Sequence, residues 1–209
     1  MAIPVQQPRR GASRLSPCAL AHLALIAIAL GGCSFDLGSI SSTPDKEAAA
    51  KATPASNEAQ AYTTRGQALS RAGKIEEALA EFDWAIAADP HYADGLYCRG
   101  LLYQSQRQHQ LAIDDFTSAN GLTPQRAEPL LGRAISYLAM DKLTEAAADL
   151  DEAAQADPHN AQIWTTRGLA YERLGDNAKA AASYNHALGI RPKDDAARTG
   201  LARVRGKAG

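Results

Sequence analysis

The sequence is poor in aromatic residues and in cysteine, and neither sign of charge predominates. Aromatic residues make up 6% of the 209 residues, and three cysteines are present. The formal net charge is −1, so the chain lacks the basic surplus with which nucleic-acid-binding proteins displace counterions from phosphates. We therefore expect no nucleic-acid partner. Apolar residues nevertheless make up 45% of the chain, which is enough to build a continuous core.

The motifs of several common enzyme classes are also missing. The sequence has no glycine-rich phosphate loop, no G-x-S-x-G, no H-E-x-x-H and no C-x-x-C. The histidines after residue 33 are widely spaced, and the carboxylates are scattered rather than clustered. We therefore predict that the protein is not an enzyme, and that it has neither a cofactor nor a metal site.

Residues 1–33 have the layout of a secretory signal. Three arginines within the first 14 residues precede an apolar run at 18–30, and the sequence LGGC occupies 30–33. The run is shorter than the roughly 20 residues that a membrane-spanning helix needs. LGGC resembles the lipobox of bacterial lipoproteins, which implies cleavage before Cys33 and a diacylglyceryl anchor on Cys33 itself. The alternative is an ordinary signal peptide with an incidental cysteine.

The residues after Cys33 suggest a location and a tether. Ser34, rather than Asp, follows the cysteine, and in such lipoproteins this favours the outer membrane, with the protein facing the periplasm, over the inner membrane. The segment up to residue 58 is rich in Ser, Thr, Ala and Pro and has no apolar period. We therefore predict a signal peptide at 1–32, and a lipidated N-terminus with a flexible tether at 33–58.

A 34-residue repeat governs the sequence from residue 59 onward. Proline, alanine and large apolar residues all recur at this step. The columns are Pro90, Pro124, Pro158 and Pro192; Ala78, Ala112, Ala146 and Ala180; and Phe82, Phe116, Leu150 and Tyr184. Within each unit, three- and four-residue spacings indicate two helices. Because one helix pair cannot bury its apolar face, the units must stack.

The repeat pattern resembles the tetratricopeptide repeat (TPR) family. The resemblance covers 59–194, as units 59–92, 93–126, 127–160 and 161–194. The implied fold is an all-α, TPR-type α-solenoid of four helix-turn-helix repeats, with a capping helix and tail at 195–209. Leu201 and Val204 of this last helix should face the array, and Arg198, Arg203 and Arg205 should face water.

One column departs from the family's usual leucine. It holds Arg65, Arg99, Arg133 and Arg167, and an acid follows sixteen residues later in the first three repeats, as Glu81, Asp115 and Asp149. These arginines could form a ladder that grips an acidic partner, or each could pair with the acid of its own repeat. We favour pairing within each repeat, because acid and base vary together and arginine suits bidentate contact with carboxylates.

The resemblance also implies that the first helices line a concave, partner-binding surface. Six apolar residues are expected at its centre: Tyr97, Leu101, Leu131, Ile135, Leu138 and Leu169. The alternative is that several of them are core residues between repeats. The Lys and Asn arrangement of clamps that hold acidic C-terminal peptides is missing, so that ligand is not expected.

Together these features predict a membrane-anchored adaptor that binds other envelope proteins through its concave surface. By resemblance to TPR lipoproteins, it would organise peptidoglycan-modifying enzymes or proteases. Two alternatives remain open: a lipoprotein that assists pilus or secretin assembly, and a homo-oligomeric structural lipoprotein whose groove is filled by its own copy.

Overall fold

The computed structural model describes residues 54–124 and 126–206, and all regular elements in these ranges are α-helices. They are α1 (Pro54–Arg71), α2 (Ile75–Ala88), α3 (Ala93–Ser105), α4 (His109–Leu122), α5 (Ala127–Ala139), α6 (Leu143–Ala156), α7 (Ala161–Leu174), α8 (Asn177–Ile190) and α9 (Asp195–Gly206). The predicted signal peptide, Cys33 and most of the predicted tether lie outside the described residues.

The helices α1 to α8 form four hairpins that stack in chain order. Each odd-numbered helix packs on the helix that follows it, and each even-numbered helix also packs on the next hairpin. Successive odd-numbered helices contact one another directly, and α9 packs on both α7 and α8. This arrangement confirms the predicted all-α, TPR-like solenoid. Its core runs between the odd-numbered and even-numbered helices.

Small residues on the first helix of a repeat make room for a large residue on the second. Phe82 is fully buried, and a Cβ atom added to Gly66 would lie only 2.6 Å from its ring. In the third repeat both partners differ, since Ala134 replaces the glycine and Leu150 replaces the ring. The smaller leucine leaves space for the extra methyl group, and both residues remain fully buried.

All four hairpins turn at the same repeat position, where the residue has a positive φ. Gly73 and Gly175 have φ of 76° and 83°, and Arg107 and Asp141 have φ of 60° and 61°. Glycine adopts this left-handed conformation without steric cost, whereas a side chain is disfavoured there. The second and third repeats therefore keep the turn without its preferred residue.

The array begins earlier than the sequence pattern predicts. Helix α1 starts at Pro54, so that 54–58, the last residues of the predicted tether, are helical. The Ser56 hydroxyl donates to a carboxylate oxygen of Asp89 at 2.7 Å, which ties the first turn of α1 to the end of α2.

Helix α9 covers the last repeat. Leu201 and Val204 are buried against the array, as expected. Arg203 does not simply face water, however, because it donates two hydrogen bonds to the Glu172 carboxylate at 2.9 and 2.8 Å. Arg203 is exposed, as predicted, and its contact with Glu172 also fastens α9 to α7. Glu172 accepts a further hydrogen bond from the Tyr184 hydroxyl at 2.9 Å.

Candidate interaction surface

The arginine column lies between first and second helices and contacts carboxylates. Arg99 binds Asp115 through two hydrogen bonds of 2.8 and 2.7 Å, and Arg133 binds Asp149 with the same two distances. Hydrogen bonding to Asp115 raises the pKa of Arg99, so the guanidinium stays charged. Arg65 makes a single hydrogen bond of 2.9 Å to Glu81, and its side chain is 56% exposed.

The same arginines also reach the preceding repeat, which the sequence analysis did not anticipate. Arg99 donates to Asp83 at 2.6 Å, and Arg133 donates to Thr117 at 3.1 Å. In the fourth repeat, Arg167 donates to Asp151 of the third repeat at 2.6 Å and to Ser183 at 2.7 Å. The acceptors sixteen residues before each arginine form a column that could have been found in the sequence.

These contacts decide how much charge the arginines present to a partner. The side chains of Arg99, Arg133 and Arg167 are 22, 16 and 19% exposed. Their guanidinium groups are therefore held in the walls between helices. This geometry favours ion pairing as their role over a ladder of cations that grips an acidic ligand.

We define the inner face as the surface formed by α1, α3, α5, α7 and α9. Of the six apolar residues predicted to form its binding surface, Tyr97, Leu131 and Leu138 are buried, with 8, 9 and 7% of their surface exposed. For these three residues the expectation of an exposed surface was wrong, and they are core residues. Leu101 and Ile135 are half-buried, whereas Leu169 is 38% exposed.

Contacts with neighbouring helices explain the burial of the three core residues. The Tyr97 ring lies 5.8 Å from the ring of Phe116 on α4, and the Arg126 guanidinium lies 6.0 Å from its centre. Leu131 and Leu138 belong to the hydrophobic cluster that joins the third and fourth repeats. These side chains thus close the space between adjacent helices instead of offering contacts to a partner.

The junction of α7 and α9 is open where the central junctions are closed. It contains a cavity of about 460 Å³, lined from α7 by Thr165, Thr166 and Leu169, and from α9 by Asp195, Ala196, Thr199 and Arg203. Thr165 and Thr199 occupy the repeat position that Tyr97 and Leu131 occupy in α3 and α5. Because threonine is shorter than either, it leaves this junction unfilled.

Tyr184 on α8, which is almost fully buried, also lines the cavity. Burial, together with the hydrogen bond to Glu172, raises the pKa of the Tyr184 hydroxyl. The hydroxyl therefore stays protonated and continues to donate to Glu172. The sequence analysis placed Tyr184 in a column of large apolar residues and did not identify the cavity. Threonines at 165 and 199, where the second and third repeats have larger side chains, could have indicated it.

A second feature missed by sequence reasoning is Trp84 on α2, whose surface is 61% exposed. Its ring is stacked on Tyr62 with centroids 6.5 Å apart, and Arg65 lies 4.5 Å from the centre of the Tyr62 ring.

None of the described helices is long and apolar enough to cross a membrane. Within 54–124 and 126–206, no group of three or more His, Cys, Asp or Glu residues could hold a metal ion.

Stacked helical hairpins with a solvent-facing inner surface define the class of α-solenoid interaction scaffolds. A family model described as tetratricopeptide repeat matches residues 63–127 and 131–195. The chain therefore belongs to the tetratricopeptide repeat family, whose members generally serve as scaffolds for protein–protein interaction and not as enzymes. No curated protein matches the sequence.

Solved structures agree with this assignment. MamA of Desulfovibrio magneticus RS-1, from its residue 41 onward, has a TM-score of 0.67 and 20% identity, over 73% of this chain and 86% of that one. YrrB, described as a TPR protein with an unusual peptide-binding site, has a TM-score of 0.63 and 18% identity, over 70% and 76%. The Arabidopsis OM64 TPR domain is 26% identical, with a TM-score of 0.54, over 55% and 95%. At these identities, the first two show the fold alone.

Proposed function

We propose that the protein is a lipid-anchored TPR adaptor of the bacterial cell envelope. Cys33 would hold it in the outer membrane, facing the periplasm, and its inner face would bind another envelope protein. The observation that carries this proposal is the sequence LGGC at 30–33, which directly follows an apolar run and precedes a TPR array. We expect the bound proteins to be peptidoglycan-modifying enzymes or proteases, which the adaptor would organise at the membrane.

The inner face supplies the contacts that such an adaptor needs. Leu101, Ile135 and Leu169 occupy the same position in three successive repeats and keep part of their apolar surface accessible. Accessible apolar side chains in a continuous row are typical of protein interfaces. Burial of apolar surface contributes roughly 25 cal/mol per Å², so a few such side chains could dominate a moderate affinity. The peptide-binding site named for YrrB shows that a protein of similar fold binds peptides.

The anchor is tested with Cys33→Ala, and Cys18→Ala is the matched control. Diacylglyceryl and an added acyl chain together should bind a membrane firmly, because stable anchoring needs more than one chain. We expect Cys33→Ala to remain an uncleaved precursor that incorporates no labelled palmitate, whereas Cys18→Ala is cleaved, labelled and found in the outer-membrane fraction. Labelling and normal cleavage of Cys33→Ala would disprove the anchor.

Docking at the inner face is tested in the same cells with a photoreactive amino acid. The crosslinker replaces Leu169 on the inner face, or Glu152, which is exposed on α6. We expect position 169 to form a defined crosslink to an envelope protein and position 152 to form none. Crosslinks only between copies of this chain would favour the homo-oligomeric alternative, and crosslinks to a pilus or secretin subunit would favour the assembly role.

A further inference from the structure

We infer that the cavity between α7 and α9 receives a large, uncharged apolar side chain of the bound protein and thereby selects the partner. The inference rests on the proposed docking at the inner face and specifies where that docking is most selective. Leu169, the most exposed of the six apolar residues predicted for this face, lines the cavity.

The size of the cavity follows from two threonines. At the central junctions, the side chains of Tyr97 and Leu131 fill the corresponding position and are buried. At the α7–α9 junction, Thr165 and Thr199 both fall short, and the adjacent Ala196 adds a single methyl group. The resulting volume of about 460 Å³ lies within the range of known ligand pockets. It therefore suits a bulky side chain.

Three hydroxyl groups around the cavity, those of Thr165, Thr166 and Tyr184, have partners within the protein. The Thr166 hydroxyl donates to the Gln162 carbonyl oxygen at 2.8 Å, and the Thr165 hydroxyl lies 2.9 Å from the Ala161 carbonyl oxygen. The Tyr184 hydroxyl donates to Glu172. The Thr165 hydroxyl also lies 3.0 Å from a carboxylate oxygen of Asp194. Because these hydroxyl groups are satisfied, Thr165 and Thr166 offer mainly their methyl groups. A polar occupant would lose its hydrogen bonds to water without replacing them.

The charges at the rim cancel in pairs, which determines the charge of the occupant. Asp195 is paired with Arg198, and Glu172 is paired with Arg203 at 2.8 Å. No net charge therefore faces the opening from these four residues. Electrostatic complementarity favours a neutral occupant over an acidic or a basic side chain, because a charged group would be desolvated without a compensating partner. The occupant most consistent with these contacts is a leucine, phenylalanine or tryptophan side chain of an extended or helical segment.

The test uses the compact unit Lys51–Gly209, which has its own internal packing, and small amides as probes. N-acetyl-leucinamide and N-acetyl-tryptophanamide are titrated into the isotope-labelled unit and followed by NMR. The α-amides of N-acetyl-aspartic acid and N-acetyl-lysine, whose side chains are charged, serve as comparisons. We expect saturable shifts at the amides of Thr165, Leu169 and Thr199 with the apolar probes, and at least tenfold weaker binding of the charged ones.

Thr165→Leu fills the cavity in the way that Leu131 fills the central junction. We expect it to weaken binding of the apolar amides at least tenfold while the unit stays folded. Thr64→Leu is the matched control, because Thr64 is exposed on α1 and its hydroxyl likewise bonds to a carbonyl oxygen one turn back; it should bind like the parent. Equal binding of charged and apolar amides, shifts confined to the Trp84 region, or unchanged binding by Thr165→Leu would each overturn the inference.

Crosslinking from position 169 separates this inference from the proposed function. If the crosslink to an envelope protein persists in Thr165→Leu at its original yield, the inner face binds a partner and the cavity does not select it. If the apolar amides bind as expected but position 169 captures no protein, the cavity is real and the docking proposal is wrong.

Discussion

Two junctions on the inner face differ in the size of the side chains at one repeat position, and one is core where the other is open. Between α3 and α5, the residues at this position are Tyr97 and Leu131, both buried. Between α7 and α9, the equivalent residues are Thr165 and Thr199, and a cavity remains. Shorter side chains contribute to the difference, and so does the place of α9, which packs on α7 and α8 and is the last of the described helices.

The comparison shows that apolar character does not identify a binding surface in this fold. At the central junctions the apolar side chains of Tyr97, Leu131 and Leu138 pack against neighbouring helices and are buried. The threonine-lined junction is less apolar and more accessible. If the open junction receives a partner as proposed, stability and recognition depend on different repeats, and substitutions in the two regions should have different consequences.

The largest effect is expected at the closed junction. Leu131→Glu would place a carboxylate without a partner among apolar side chains, and we expect it to lower the free energy of unfolding by several kcal/mol. Thermal melts followed by circular dichroism measure the loss. Ala139→Glu is the control, because Ala139 is exposed on the same helix. A melt of Leu131→Glu that matches the parent would show that the central junction is a surface after all.

The fold follows from the sequence because its determinants are local and repeated. The columns headed by Phe82, Ala78 and Pro90 predict helix pairs and stacking, and the structure has both. The hairpin turns were less evident, since the left-handed position is glycine in only two repeats and Arg107 or Asp141 in the others. Here stacking of neighbouring helices prevails over the local preference for glycine.

An intermediate effect is expected in the arginine column. Arg133 and Asp149 are 16 and 10% exposed and joined by two hydrogen bonds, so a double-mutant cycle with Arg133→Ala and Asp149→Ala should give a coupling energy of roughly 1–3 kcal/mol. The equivalent pair in the first repeat, Arg65 and Glu81, is joined by one hydrogen bond, and its side chains are 56 and 24% exposed. We expect its cycle, measured by urea unfolding, to give a coupling near zero. Equal coupling energies in the two repeats would contradict the role assigned to burial.

The smallest effect on stability is expected at the open junction. Leu169→Glu should change the free energy of unfolding by no more than about 0.5 kcal/mol, because an exposed site can accept a charge. The same substitution should abolish crosslinking to the partner from a photoreactive residue at position 162, which lies two turns earlier on α7. If Leu169→Glu destabilises the array as strongly as Leu131→Glu, the two junctions do not differ as described.

The site could be predicted from the sequence only in part, because burial depends on the size of neighbouring side chains. Helical periodicity places Tyr97, Leu101 and Leu131 on one face and does not say how deeply each lies. Depth depends on contacts with other helices, such as the approach of Phe116 to Tyr97. The pairing of Arg167 with Asp151 was missed because it was sought within one repeat.

The bridging arginines also bear on how the array comes apart. Arg99, Arg133 and Arg167 each hold the second helix of their own repeat and that of the preceding one. A repeat can therefore separate from its neighbour only by breaking charge-assisted hydrogen bonds in addition to apolar contacts. In a one-dimensional array, strong coupling between nearest neighbours favours cooperative, all-or-none unfolding over melting unit by unit. Each of these three guanidinium groups thus adds to the coupling between two adjacent repeats.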